Sequence, residues 1–136
     1  MTDTERDAFL SERRVGVLAL ERAGSGPLVA PIWYRYAPGG LIEIAMSGSS
    51  AKAVLARRAG RASVCVQDED RPYRYVSVEG PVSVEPLGEA THDTIRDIAS
   101  RYLGERAGAA YAANFSTPDE VLVRLTPERW RTEVLG

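Results

Sequence analysis

The chain has 136 residues, 26% charged and 44% apolar, with a formal net charge of −2, the size and balance of one soluble globular domain. That charge argues against a dedicated nucleic-acid binder, and no apolar run reaches the ~18 residues that a membrane span needs. A single cysteine, Cys65, and a single histidine, His92, leave neither a disulfide framework nor a structural zinc site.

In chain order, residues 4–13 read as a short helix that Thr2 or Asp3 can cap. The polar, acidic start of the chain does not read as a signal peptide, so the expected location is the cytoplasm. Residues 14–22 hold an apolar run of strand length, Val15-Gly16-Val17-Leu18-Ala19-Leu20, expected to be buried on both faces. Gly24-Ser25-Gly26-Pro27 is turn chemistry. Residues 28–36 form a second strand, in which Pro31 indicates a sheet edge or a bulge. Ala37-Pro38-Gly39-Gly40 turns the chain into a third strand over 41–46. A short helix over 51–58 ends at Gly60.

Residues 62–67 are a fourth strand, and a charged turn leads to a long fifth strand over 73–85, bent at Gly80-Pro81. Helices over 89–102 and 105–115 follow; the first carries Ile95, Ile98, Ala99 and Tyr102 on one face. Strands over 121–125 and 130–134 end the chain. Short connections imply antiparallel pairing, and many short strands with a bend in the longest favour a barrel. The expected fold is mostly β (α+β), a small antiparallel β-barrel with flanking helices in one domain over 1–136.

Three segments could carry chemistry. Ser47-Gly48-Ser49-Ser50-Ala51-Lys52 lies between a strand and a helix. Ser50 can cap that helix, and Gly48 lets the backbone approach a ligand. Free N–H groups at a helix start attract anions, and a lysine beside them completes a phosphate site. Of the 17 basic residues 16 are arginine, and the one lysine, Lys52, sits where it opposes the helix macrodipole. A bound anion would reverse that sign. The segment is not a Walker motif. The second segment is Arg71-Pro72-Tyr73-Arg74-Tyr75, with stacking and anion-pairing side chains. The third, Pro31-Ile32-Trp33-Tyr34-Arg35-Tyr36, could wall a flat ligand. His92 reads as a surface or capping residue and Cys65 as an apolar filler. No nucleophile elbow and no paired carboxylates stand out, so no catalytic side chain is assigned, and any redox chemistry falls to a cofactor.

The ordered set Phe9-Leu10, Val15-Gly16-Val17-Leu18-Ala19, Gly26-Pro27-Leu28-Val29-Ala30-Pro31-Ile32-Trp33-Tyr34, Ser49-Ser50-Ala51-Lys52, Arg61-Ala62-Ser63-Val64-Cys65-Val66 and Tyr75-Val76-Ser77-Val78-Glu79-Gly80 resembles the FMN-binding split-barrel superfamily of pyridoxamine 5′-phosphate oxidase-like proteins. It is most similar to the actinobacterial flavin/deazaflavin oxidoreductases, the branch with coenzyme F-420-dependent members, over residues 8–134. The resemblance implies a six-stranded split β-barrel that works as a homodimer with cofactors at the interface. It implies that Lys52, Ser49 and Ser50 hold the cofactor phosphate, and that Pro31, Ile32, Trp33, Met46 and Ser47 line the ring. Gln67 would close the site, and Tyr73, Arg74 and Tyr75 would reach over from the partner subunit. Many relatives carry Arg where this chain has Ser50; with one cation left, either phosphate affinity is lower or Arg74 supplies the second charge. The Arg-x-His motif of true pyridoxamine phosphate oxidases is absent from Glu128-Arg129-Trp130-Arg131-Thr132-Glu133, so vitamin B6 oxidation is not expected. The implied activity is hydride transfer from reduced F-420 to an unsaturated small molecule. An FMN-dependent reductase or oxidase, and a non-enzymatic carrier of flavin, haem or lipid, are the alternatives.

Overall fold

The computed structural model describes residues 1–37, 39–86, 88–115 and 119–135. Pro38 of the expected turn lies outside the described residues. In chain order the elements are α1 (Asp3–Ser11), β1 (Gly16–Leu20), β2 (Leu28–Ile32), β3 (Arg35–Tyr36), β4 (Ile42–Ser47), α2 (Ala51–Ala59), β5 (Arg61–Gln67), β6 (Tyr73–Pro86), α3 (Glu89–Leu103), α4 (Glu105–Phe115), β7 (Glu120–Leu125) and β8 (Arg129–Leu135). The helix ends follow local chemistry. The Thr2 hydroxyl accepts from the Glu5 N–H and caps α1. Ser50 does the same for α2 through the Ala53 N–H at 3.2 Å, and Gly60, at φ +67°, closes α2 in the left-handed conformation.

The strands build one curled antiparallel sheet in the order β2-β1-β5-β6-β7-β4-β3, with β8 paired to β6. Every pairing is antiparallel. Strand β6 serves both halves. Its residues up to Pro81 pair with β5 and those up to Glu79 with β8, whereas Val82 to Pro86 pair with β7. The change of partner falls at Gly80-Pro81, where a Cβ on Gly80 would overlap the Thr126 carbonyl.

Eight strand segments form where the resemblance implied six. The C-terminal segment pairs along its length, from Glu79↔Arg129 to Tyr73↔Leu135. The expected second strand is broken at Trp33-Tyr34 into β2 and β3, which sit at opposite ends of the strand order. The barrel is therefore split between them. At the break the Tyr34 N–H leaves the ladder and donates to the Tyr102 hydroxyl at 3.1 Å. The Tyr34 side chain is fully buried at the seam, its hydroxyl donating to the Leu10 carbonyl at 2.9 Å. Burial pushes the Tyr34 phenol up to about 12 despite the neighbouring Arg101 guanidinium, so it remains a neutral donor.

One core fills the barrel. Leu18, Val64 and Val78 form an inward row across β1, β5 and β6, and Ile42, Ile44, Met46, Val121, Val123 and Leu125 line the β4–β7 side. Phe9 and Leu10 from α1 and Ala53 and Ala56 from α2 join the same core. The outward face of β1 differs from expectation. Val15 and Val17 are exposed, because none of the described elements packs over that face. Outside the barrel, Ile98 and Tyr102 of α3 pack on Leu122 and Ala45. Helix α4 lies against α3 so closely that a Cβ on Gly108 would overlap Ser100. No helix among the described residues is long and apolar enough to cross a membrane.

The β5–β6 turn is tied to the start of β1 by Asp68, which accepts from Arg14 Nε and Arg74 Nε, both at 2.7 Å. Both guanidinium groups lie over the Phe9 ring. Burial works against the Asp68 charge, but the hydrogen bonds from Arg14 and Arg74 outweigh it and hold the carboxyl below the usual carboxylate range.

Gly80→Ala should lower stability by ~1–3 kcal/mol, since the obstacle is backbone with no side chain to give way; the denaturant midpoint measures this. A depressed folded pKa means that the Asp68 stabilisation is complete above the unfolded value of ~3.9 and is lost as pH falls through the folded value. Asp68→Asn should therefore be less stable than wild type at pH ~7 and show a flatter decline below pH ~5. Parallel urea midpoints across that range would contradict it.

Candidate functional site

A groove of about 450 Å³ runs between the β2–β4 side of the barrel and the α3–α4 pair. Val15, Pro31, Ile32, Trp33 and Ala45 form one wall; Ile95, Ile98, Ala99 and Tyr111 form the other. Lys52 and Glu120 are its charged members. The wall is apolar because β2 and β4 turn small or flat residues outward, and because the periodic face of α3 is shared between Leu122 and the groove. Trp33 sits at the strand break. Its indole stacks on Tyr102 with ring centroids 5.0 Å apart and planes 7° from parallel, and Tyr111 meets it tilted at 6.1 Å. The Tyr102 hydroxyl fixes this arrangement by donating to the Arg14 carbonyl at 2.7 Å while accepting from Tyr34 N–H.

Lys52 stands in the first turn of α2, which holds no acidic residue. Among the described residues it has no ion-pair or side-chain hydrogen-bond partner. The N–H groups there belong to a helix start, where partial positive charge gathers. The loop before it is fully engaged. Ser50 Oγ donates to the Ser47 carbonyl at 2.6 Å, and Arg57 Nη1 donates to the Gly48 carbonyl at 2.7 Å. Ser47 Oγ and Ser49 Oγ donate to one carboxylate oxygen of Asp119, at 2.6 and 2.9 Å, and the Ser49 N–H reaches the same oxygen at 3.3 Å. The Gly48 N–H donates to the Asp119 carbonyl at 2.7 Å, and a Cβ on Gly48 would lie 2.7 Å from that oxygen. The serine hydroxyls hold the Asp119 carboxyl below the usual range. Next to it, burial pushes the Glu120 carboxyl up, and the Asp119 charge adds to the effect.

The structure thus brings Pro31, Ile32, Trp33 and Lys52 to one groove, whereas Ser47, Ser49 and Ser50 lie on the loop before the helix of Lys52 and are not among its lining residues. Met46 is a correction. The two-residue period of β4 points it into the barrel core, and Ala45 takes the lining position. Gln67 lines a separate groove of about 680 Å³ on the outer sheet face, which meets the first at Val15. Tyr73 is exposed at the start of β6, and Tyr75 faces Gln67 across the β5–β6 ladder. Arg74 is held by Asp68 at 2.6 Å. A single chain does not bring Gln67, Tyr73, Arg74 or Tyr75 to Lys52. Sequence reasoning missed Ala45, Asp119, Glu120 and Tyr111. Ile95, Ile98 and Ala99 were visible as a helical stripe, and nothing in that stripe distinguishes core from groove.

The sequence profile described as pyridoxamine 5′-phosphate oxidase matches residues 2–133. The chain belongs to this family. It is 34% identical over 96 residues to a biliverdin reductase dependent on reduced F-420 from Mycobacterium tuberculosis, across 70% of this chain and 68% of the relative. A conserved hypothetical protein from Mycobacterium tuberculosis superposes with a TM-score of 0.85 at 28% identity, covering 98% of this chain and 85% of that one. An FAD-binding protein from Mesorhizobium loti superposes with a TM-score of 0.72 at 25% identity, covering 100% of this chain and 96% of that one.

Tyr102→Phe leaves the Tyr34 N–H buried without its acceptor, so stability should fall by ~1–3 kcal/mol. Trp33 fluorescence should change as the stack loosens; an unchanged melting temperature and spectrum would show that the hydroxyl does not organise the groove.

Proposed function

We propose that this chain is an oxidoreductase that binds a phosphate-bearing deazaflavin or flavin in the Lys52 groove, with coenzyme F-420 as the cofactor and an unsaturated small molecule as the hydride acceptor. The observation that carries the reading is Lys52, without an ion pair among the described residues, at a helix start that follows serine donors converging on a carboxylate, and in the lining of an apolar groove with a flat aromatic wall. That donor set fits a phosphate, since the Asp119 carboxylate already stands where an anion is held. The biliverdin reductase relative supports F-420 in particular. FMN is the second reading, favoured by the likeness to the FAD-binding protein.

When bound, the reduced cofactor would supply a hydride to the acceptor. Lys52 would pair with the phosphate and fix the register of the ring. Ile32 and Trp33 would pack on the ring and keep water from it. We further propose that a second copy of the chain covers the exposed Val15, Val17 and Val29 of the β1–β2 face and brings its own Tyr73 toward the groove, which would complete the site as a homodimer.

Titration of the purified protein with F-420 and with FMN, followed by fluorescence, tests the reading. Binding tighter than ~100 μM to either, about −5.5 kcal/mol, is the expected result. Binding to neither would end it, and binding without turnover of the reduced cofactor would identify a carrier. Lys52→Ala removes one charge-assisted contact of ~1.5–3 kcal/mol, so affinity should fall ~10–150-fold with the melting temperature unchanged; an unaltered dissociation constant would remove Lys52 from the site.

A further inference from the structure

We propose that Asp119 is an internal competitor for the anion end of the groove, a specificity-determining residue that a ligand phosphate must displace. The inference rests on reading the loop before α2 as the phosphate end of the site, and adds to that reading a residue that sets how tightly phosphate is held. Three donors of the loop, Ser47 Oγ, Ser49 Oγ and Ser49 N–H, meet on a single Asp119 oxygen at 2.6, 2.9 and 3.3 Å. They are spent on a side chain placed some seventy residues away in sequence. Gly48, the residue whose missing side chain would admit a ligand to this backbone, is instead filled by Asp119, through both its carbonyl and its other carboxylate oxygen, 3.2 Å from where a Cβ would be.

The carboxylate is at the surface and carries its charge through the neutral range, because the serine hydrogen bonds favour the ionised form. It has no arginine ion pair among the described residues. A carboxylate and a phosphate cannot share the same donors. They repel at hydrogen-bond distance, and each needs the same three groups. Phosphate binding therefore requires the Asp119 side chain to rotate out, which its exposure permits, leaving Lys52 to offset the two nearby negative charges. A ligand without a phosphate has no reason to displace Asp119. The residue thus lowers affinity for the phosphate-bearing form of a ligand and leaves that for its dephosphorylated form unaffected.

The test compares wild type with Asp119→Asn and Asp119→Ala, using FMN against riboflavin and inorganic phosphate alone. Affinities come from fluorescence titration, and phosphate binding from amide shifts of residues 47–53 in NMR spectra. Both variants should bind FMN ~10-fold or more tightly than wild type, bind riboflavin as wild type does, and show phosphate-induced shifts at lower concentration. Asp119→Glu, which keeps the charge, should show no gain. Unchanged or weaker FMN binding in Asp119→Asn would overturn the inference, since Asp119 would then only orient the serines. So would an equal gain for riboflavin. If no protein binds any flavin, the cofactor reading fails. The phosphate series then decides this inference alone, with a gain in the variants supporting it and identical shifts overturning it.

Discussion

Strand β6 makes hydrogen bonds to β5 and β8 along its first part and to β7 along its second, and the change of partner is possible because Gly80 has no side chain where Thr126 crosses it. From this constraint the rest follows. One strand common to both halves lets the sheet curl, and a curled sheet with β2 at one edge and β3 at the other leaves a seam between two consecutive strands. The seam is closed by side chains. Tyr34 plugs it from within, and Tyr102 of α3 supplies the hydrogen bonds that the ladder lacks. Trp33, turned outward at the same point, becomes the flat wall of the groove. The groove is thus a by-product of how the barrel fails to close.

The charged end of that groove comes from a second local decision. Ser50 caps α2, Gly60 stops it, and the chain places Lys52 in the first turn although lysine there opposes the helix dipole. In a chain with 16 arginines and one lysine, that lysine has no ion pair among the described residues. The serine hydroxyls before it are turned onto the Asp119 carboxylate. Beside it, Glu120 is pushed toward its protonated form, so two adjacent carboxyl groups are driven in opposite directions. Such divergence sets carboxyl groups of opposite tendency side by side at the start of β7.

What the sequence reveals depends on range. Elements fixed by neighbours were legible: the Ser50 cap, the Gly60 stop, the Gly80-Pro81 bend and the α3 stripe all sit where local pattern places them. Pairing over long range was not. The Trp33-Tyr34 break depends on Tyr102, 68 residues on. The last strand was legible over 130–134, but its pairing with the free edge of β6 was not. Likewise Lys52, Ile32 and Trp33 could be picked out as candidates from their types and setting, and they line one groove, whereas Asp119 and Glu120 enter only because β7 pairs with β4, Ser47 facing Glu120. Met46 was misplaced by one residue, which in a strand is the difference between core and surface.

The central claim is that the Lys52 loop and the Trp33 wall form one ligand site. Mapping amide and indole shifts in ¹⁵N NMR spectra on addition of F-420 tests it directly. The account predicts that the largest changes fall together on Ile32, Trp33 with its indole N–H, residues 47–53 and Glu120. Changes centred instead on the opposite groove of Arg6, Tyr36 and Trp130, or on the wall without the loop, would contradict it.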